Sequence, residues 1–287
     1  KANYCFYVRA KVRVVMLHIL TLSWNGLDKL AKLKESLMPA LKGIESIWYI
    51  KSNGCTDGTV EEVSTWGENI KVFAYPNNNQ NFSQGMNYLF DKTNAKDDDF
   101  ILFLNNDVQV KDINSIKNMI SIMKDPTVGI VGCRLLFSDT DIIQHAGVVF
   151  DPNSKGPMNF RNKEKDDSTA TKNRVFQAVT AACCLTKASI YKQACTDNAS
   201  GIGGMDEKYH WSFDDVDFCL AVNYALKKKV VYCGNATFFH EESATLKKKP
   251  TNKMFMKDNL TRLKNKWGNH IVYDKGNYVS TTYKLYK

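Results

Sequence analysis

Phe100-Ile-Leu-Phe-Leu-Asn-Asn-Asp107 is a run of five apolar residues that ends on three polar ones, the last a carboxylate. An apolar run this short and this continuous reads as a strand buried in a sheet. The stretches before it repeat the theme. Val14–Leu22 is an apolar, β-rich run closed by Ser23-Trp-Asn-Gly26, and Leu27, Leu30, Leu33 and Leu37 then recur at helical spacing up to Pro39. Ile44–Ile50 predicts a second strand, and Ser52-Asn-Gly-Cys-Thr-Asp-Gly-Thr59 a polar loop opening a helix over Val60–Trp66. A third strand follows at Ile70–Tyr75, then a helix near Ser83–Phe90. After Asp107 come a helix over Ile113–Met123 and a strand from Val128 to Val131. Strand and helix thus alternate through about 130 residues, the signature of a mostly parallel sheet with helices on both faces. The loops after Leu22, Ile50, Tyr75 and Leu104 then share the carboxyl edge of that sheet, where ligands of such folds collect.

Beyond Cys133 the pattern loosens. Asn153–Asn173 reads as a mobile, turn-rich loop and Val175–Leu185 as a buried run. Phe213–Ala225 reads as a helix, Val230–Cys233 and Ala236–Phe239 as two short strands, and Lys253–Trp267 as an amphipathic helix. The implied division is a basic extension over 1–13, one α/β domain over 14–250 and a basic helical tail over 251–287. Within the domain, 14–107 forms the first half and 108–250 the second.

Composition narrows the classes. The 287 residues are 44% hydrophobic and 24% charged, enough for a real core and unlike a disordered chain. No run of 18 apolar residues occurs, so the sequence offers no membrane span. The net charge of +9 sits in one place: Lys247–Lys287 holds eleven basic against two acidic residues, and the preceding 246 carry 28 of each. A nucleic-acid-binding fold spreads its charge over a face or groove, so a neutral body with a basic end argues against nucleic acid. The tail instead suits a solvated face, or contact with an anionic membrane or glycan. The eight cysteines show neither Cys-x-x-Cys nor zinc spacing and mostly lie in apolar runs, which predicts reduced core thiols and a cytoplasmic setting.

Three constellations carry chemistry. Asp107, just past a buried strand, is placed to hold a hard divalent cation, unless Asn105-Asn106-Asp107 is a plain turn. In Trp211-Ser-Phe-Asp-Asp-Val-Asp-Phe-Cys219, the carboxylates Asp214, Asp215 and Asp217 crowd the first turn of a helix. The helix dipole accounts for one or two of them, and a third suggests general-base work. His240, in Phe238-Phe-His-Glu-Glu-Ser243, is a possible metal ligand after a short strand. Trp24 is either a stacking face or core, and Glu241 and Glu242 either acceptor contacts or solvated acids.

In this order the pieces resemble family 2 glycosyltransferases, the inverting enzymes of GT-A fold, particularly their rhamnosyltransferase-like branch. Leu20-Thr-Leu-Ser-Trp-Asn25 is similar to the family's opening strand and Thr-Tyr-Asn loop, and 52–59 to its Asp-Asn-Gly-Ser-Thr-Asp-Gly-Thr loop. Asn79-Gln-Asn-Phe-Ser-Gln-Gly-Met-Asn87 resembles its Asn-x-Gly-Phe segment, and Phe103-Leu-Asn-Asn-Asp107 its metal motif. Val131–Leu136, Ile143-Gln-His-Ala-Gly147, Phe213–Cys219 and Phe238–Ser243 match further segments. The resemblance implies a Rossmann-like sheet with a C-terminal helical appendage and Mn2+ or Mg2+ as cofactor. It implies a nucleoside-diphosphate sugar as donor (UDP first, dTDP or GDP next), with rhamnose, glucose or galactose as the sugar, and a glycan hydroxyl as acceptor. Asp107 and His240 would hold the cation. Asp215 would take the acceptor's proton, with Asp214 sharing that role. Ser23, Asn25, Ser52, Asn53, Asp57, Gln84, Asn87, Asn105 and Asn106 would line the donor, and Trp211 and His145 the acceptor. Asn106 and Ser52 stand where the family usually carries acids, and Asp214 where it carries Glu. Lys247–Lys249 would form a lid over the diphosphate. An inactive binding module of the same fold and a sugar nucleotidyltransferase are the rivals. The latter lacks its glycine-rich phosphate loop after the first strand.

Overall fold

The computed structural model describes residues 13–74, 80–152, 156–194, 203–210, 212–241, 252–274 and 285–286. In chain order the first half runs β1 (Leu17–Ser23), α1 (Leu27–Ala40), β2 (Ser46–Ser52), α2 (Thr59–Val63), β3 (Ile70–Ala74), α3 (Phe82–Thr93), β4 (Phe100–Leu104), β5 (Val108–Val110) and α4 (Ser115–Met123). The second half runs β6 (Val128–Phe137), β7 (Ile143–His145), β8 (Val148–Val149), β9 (Met158–Asn159), β10 (Arg174–Phe176), β11 (Cys183–Lys187), α5 (Ala188–Gln193), α6 (Asp214–Leu220), β12 (Lys229–His240) and α7 (Asn252–Trp267).

The central sheet has the order β10-β12-β6-β11-β4-β1-β2-β3. β3, β2, β1 and β4 are mutually parallel, as are β6 and β12, and β11 runs antiparallel between β4 and β6. Along β4 the side chains alternate between two cores. Phe100, Leu102 and Leu104 face the core built with α1, α2 and α4, while Ile101 and Phe103 face the one built with α3, α5, α6 and α7. Burial on both faces is why this strand carries no polar residue.

Three expectations are corrected. Residues 230–239 form one strand, not two, because the break at Cys233–Thr237 is a bulge in the pairing with β6, not a turn. The run over 175–185 is two strands, β10 and β11, joined by a loop. The segment over 156–173, read as mobile, is tied down. Arg161 binds Glu164 at 2.7 Å and Asp167 at 2.9 Å, and β9 pairs with β8. The expected helix over 213–225 is α6 continued by a π-helical turn over Ala221–Ala225.

The C-terminal helix packs onto the domain, with Leu263 fully buried in the core of α3, α5 and α6. The six described cysteines are free thiols. No helix among the described residues is long and apolar enough to cross a membrane. Most of the basic extension, Trp211, Glu242, Ser243, the proposed lid Lys247–Lys249, and Lys275, Lys284 and Lys287 lie outside the described residues.

Candidate active site

The carboxyl ends of β1, β2 and β4 and the end of β12 meet at one edge of the sheet. β5 holds the last two together: its antiparallel register sets His240 opposite Val108, one residue past Asp107. Asp107 Oδ1 lies 3.2 Å from His240 Nε2, and the Asp107 carbonyl accepts the Glu241 amide at 3.0 Å. The orientation of His240 is set from behind. Gln144 Nε2 donates to the His240 carbonyl at 3.3 Å, so Gln144 Oε1 is the acceptor 2.6 Å from His240 Nδ1. With the ring proton on Nδ1, the Nε2 lone pair faces a carboxylate oxygen at contact distance, and two acceptors so placed call for a cation or a proton between them. The pair, 15% exposed on each side, therefore fits a divalent cation, and the imidazole favours Mn2+ over Mg2+. Among the described residues no third His, Cys, Asp or Glu completes a protein-only cage, leaving positions for ligand oxygens. Lys29 of α1 stands beside them, 3.8 Å from Asp107 Oδ2 and 3.1 Å from Glu241, so Glu241 is an ion-paired acid and not a free one.

The loops that follow β1, β2 and β4 are interlocked. Asn106 Nδ2 donates to Ser23 Oγ at 3.1 Å, Asn53 N to the Ser23 carbonyl at 2.8 Å, and Cys55 N to Ser52 Oγ at 3.3 Å. Ser52 thus shapes its own turn, as a hydroxyl at that position can. Asn25, at φ 45°, accepts from Thr56 N at 2.7 Å. Asn53 accepts from the buried Lys51 ammonium at 3.1 Å and exchanges hydrogen bonds with the Gln80 backbone. Trp24 is 46% exposed beside this loop, which excludes the core reading.

Three expected donor contacts are spent within the fold. Both Asp57 oxygens accept backbone amides, from Leu27 at the start of α1 and from Thr59 at the start of α2. Burial opposes its charge, but these bonds and the Thr59 hydroxyl hold the carboxyl below its ordinary range. Gln84 closes a capping box with Asn81. Asn87, 7% exposed, donates to the Met205 carbonyl and to Glu207 and accepts from Tyr191 Oη, so it ties α3 to the 203–207 segment and leaves nothing for a ribose.

The acidic turn stands on a strained residue. Phe213 has φ 67°, a left-handed conformation that a bulky side chain adopts only when its surroundings impose it. Asp214 is buried, and its burial together with the charge of Asp215 pushes its carboxyl up to about 8. Burial raises Asp215 as well, but it accepts amides from Ala181 at 3.2 Å and Val216 at 2.8 Å, which pull it back down. Asp214 is thus held toward its protonated form, while the two amides favour the charged form of Asp215. Asp217, fully buried, is a structural acid bonded to Tyr209 Oη, Lys266 and Trp267 Nε1.

His145 does not reach an acceptor. Its ring is 1% exposed, Nδ1 contacts Asn159 Oδ1 at 2.8 Å, and Nε2 accepts the Thr180 amide at 3.4 Å. It holds the 180–182 segment, and that segment joins the two halves of the site. The Ala182 carbonyl accepts the Asn105 amide at 2.9 Å, while the Ala181 amide donates to Asp215.

Residues 19–191 match the model of glycosyl transferase family 2. The chain belongs to glycosyl transferase family 2. Among curated relatives, it is 32% identical over 152 residues to the O-antigen biosynthesis protein RfbC of Myxococcus xanthus, covering 51% of this chain and 11% of that one. It is 28% identical over 183 residues to the uncharacterized protein y4gI of Sinorhizobium fredii (strain NBRC 101917 / NGR234), covering 61% and 19%. The chain thus spans less than a fifth of the length of these relatives. Among solved structures, it resembles GalNAc-T7 with UDP, GalNAc and Mn2+ (TM-score 0.61, 11% identity, 91% of this chain and 49% of that one). It also resembles the mannosyltransferase PcManGT from Pyrobaculum calidifontis in complex with GDP-Man and Mn2+ (TM-score 0.59, 9% identity, 92% and 67%). At such identities the likeness is one of fold, and the GT-A architecture expected from the family motifs is the one observed. The acidic turn and α7 lie past residue 191, outside the matched family region.

Two contributors escaped the sequence reading. Gln144 stood inside a family-like segment without a role, and only the fold brings it behind His240. Asn259 lay in the amphipathic helix without a role, and only the fold brings it against His210 and Ser212.

Proposed function

We propose that this member of family 2 moves a sugar from a nucleoside-diphosphate sugar to a carbohydrate hydroxyl with inversion at the anomeric carbon. The observation that carries the reading is the 180–182 segment, which bonds the metal motif at Asn105 and the base at Asp215 through the adjacent residues Ala182 and Ala181. A donor diphosphate at Asp107 and an acceptor hydroxyl at Asp215 would then meet across one short stretch of backbone. The acceptor oxygen attacks the anomeric carbon, the bond from that carbon to the phosphate oxygen breaks, and the diphosphate leaves with the electron pair. The acceptor's proton passes to Asp215, since a neutral hydroxyl is a poor nucleophile. Asp107 and His240 would hold a divalent cation, which supplies charge stabilisation to the leaving diphosphate. One ionised carboxylate suffices for a single displacement, and the protonated Asp214 is not needed as a second nucleophile.

Uridine is the first choice of base, with guanosine and thymidine next, in line with the UDP and GDP-sugar held by the two structures of similar fold. The similarity to an O-antigen biosynthesis protein supports a glycan acceptor and leaves rhamnose among the sugars to test.

A thermal-shift screen with Mn2+ across UDP-glucose, UDP-galactose, GDP-mannose and dTDP-rhamnose should show stabilisation by one donor above the rest. Asp215→Asn should lower sugar transfer about 100-fold or more while leaving donor stabilisation intact. Asp214→Asn, which mimics the protonated acid, should retain most of the activity. Full transfer by Asp215→Asn removes it as the base, and loss confined to Asp214→Asn exchanges the two roles.

A further inference from the structure

We propose that Asn259 of α7 is a positioning residue for the base, and that α7 as a whole sets the register of the acidic turn. This rests on the reading of Asp215 as the base. Asn259 is 3% exposed, and its amide is spent on the two residues that flank position 211. Nδ2 donates to the His210 carbonyl at 2.5 Å and to the Ser212 carbonyl at 3.1 Å, and Oδ1 accepts the His210 amide at 3.4 Å. These groups belong to no helix or strand, so no ladder supplies their hydrogen bonds, and the Asn259 side chain does. Immediately after them stands Phe213 in its left-handed conformation, and then the Asp214–Asp215 pair.

The same face of α7 grips the segment at both ends. Arg262 and Lys266 bind the fully buried Asp206 at 2.6 and 3.1 Å, and Lys266 also binds the fully buried Asp217 at 2.7 Å. Positions 259, 262 and 266 fall on one stripe of the helix. One rigid element therefore fixes the chain before, within and after the turn that presents Asp215. A carboxylate held this way keeps its distance to the acceptor hydroxyl, and a displacement of about 1 Å from a productive geometry can cost about 100-fold in rate. Asn259 bonds His210 and Ser212 and none of the loops after β1, β2 and β4, so its loss acts on the chemical step and not on donor binding.

The test compares Asn259→Ala and Asn259→Asp, the second keeping the size and the acceptor but losing both donors, with Lys257→Ala on the exposed face as control. Hydrogen exchange should quicken at least tenfold at the Ala181 and Val216 amides, which donate to Asp215, and stay unchanged at the Asn53 amide. The affinity for UDP with Mn2+ should stay within twofold of the parent. Turnover on the nucleotide-sugar panel, with water as acceptor, should fall 10- to 100-fold in both Asn259 variants and hold in Lys257→Ala. Unchanged exchange at Ala181 and Val216 overturns the proposal. So does faster exchange throughout the chain with donor affinity falling in step, which marks a merely structural residue. Asp215→Asn run in parallel separates the two readings: if it is fully active the base assignment fails, and if it is inactive while both Asn259 variants turn over normally, only the clamp fails.

Discussion

Single side chains in this site are defined by what stands behind them. Gln144 fixes the proton of His240 on Nδ1, and a ligand histidine so oriented binds its metal more tightly. Gln144→Leu should weaken Mn2+ binding about 10- to 100-fold, read by calorimetric titration in the absence of nucleotide. Gln144→Glu should bind at least as well as the parent, since a carboxylate accepts the same proton. Lys29 acts in the opposite sense: its ammonium beside Asp107 competes with any cation, so Lys29→Ala should tighten Mn2+ in the same titration. The proposed base has its own signature. Burial raises Asp215, and a base must be unprotonated, so the transfer rate should climb with pH at values above the ordinary carboxylate range of about 3.8. A rate already level from pH 4 upward would mean that Asp215 is not the group titrating. The residue types of this chemistry were legible in the sequence, and the pairing of Asp107 with His240 was expected from the family resemblance alone. That Asn87 and Asp57 are consumed by the fold was not, because composition shows what a side chain can bond and not which neighbour reaches it first.

At the scale of elements, β4 was read with its limits unchanged. β4 needs apolar residues on both faces, and such a run has only one comfortable place in a sheet. The errors fell where local signals mislead. Gly234-Asn235 has the composition of a turn, yet β12 runs through it as a bulge, because β6 on one side and β10 on the other hold the strand in line. Glycines also mark where elements touch. Gly204, at φ 106°, passes so close to Asn87 Oδ1 and the Tyr191 ring that a methyl group there meets both. Gly204→Ala should destabilise the protein by about 2 kcal/mol through overpacking and backbone strain, measured by urea unfolding.

For the molecule as a whole, the charge asymmetry in the sequence has a structural use that counting did not suggest. Two of the tail's cations, Arg262 and Lys266, neutralise Asp206 and Asp217 inside the domain, so the body and its basic end are electrically one unit. Lys266→Ala leaves two buried carboxylates short of a partner and should cost about 3 kcal/mol of stability. Acid should weaken the fold through His145. Burial, with a smaller contribution from His240, pushes its pKa from 6.5 down to about 4. The unfolded chain therefore takes up a proton that the folded chain refuses, and stability falls as pH drops from 6.5 to 4, by about 3 kcal/mol in all. Unfolding curves at pH 7 and pH 4.5 should show this loss, and His145→Gln should show less of it.

The position of β12 also bears on how the chain is made. Among the described residues no long strand follows it, yet it sits inside the sheet, between β10 and β6, and delivers His240. Until residue 240 has emerged, β6 offers ten residues of mostly apolar strand with one side unpaired. A nascent or prematurely terminated chain ending before Lys229 would carry that open edge, the kind of template on which strands of other molecules assemble. Fragments cut there should accumulate as aggregates, whereas those extending through Trp267 should remain dispersed.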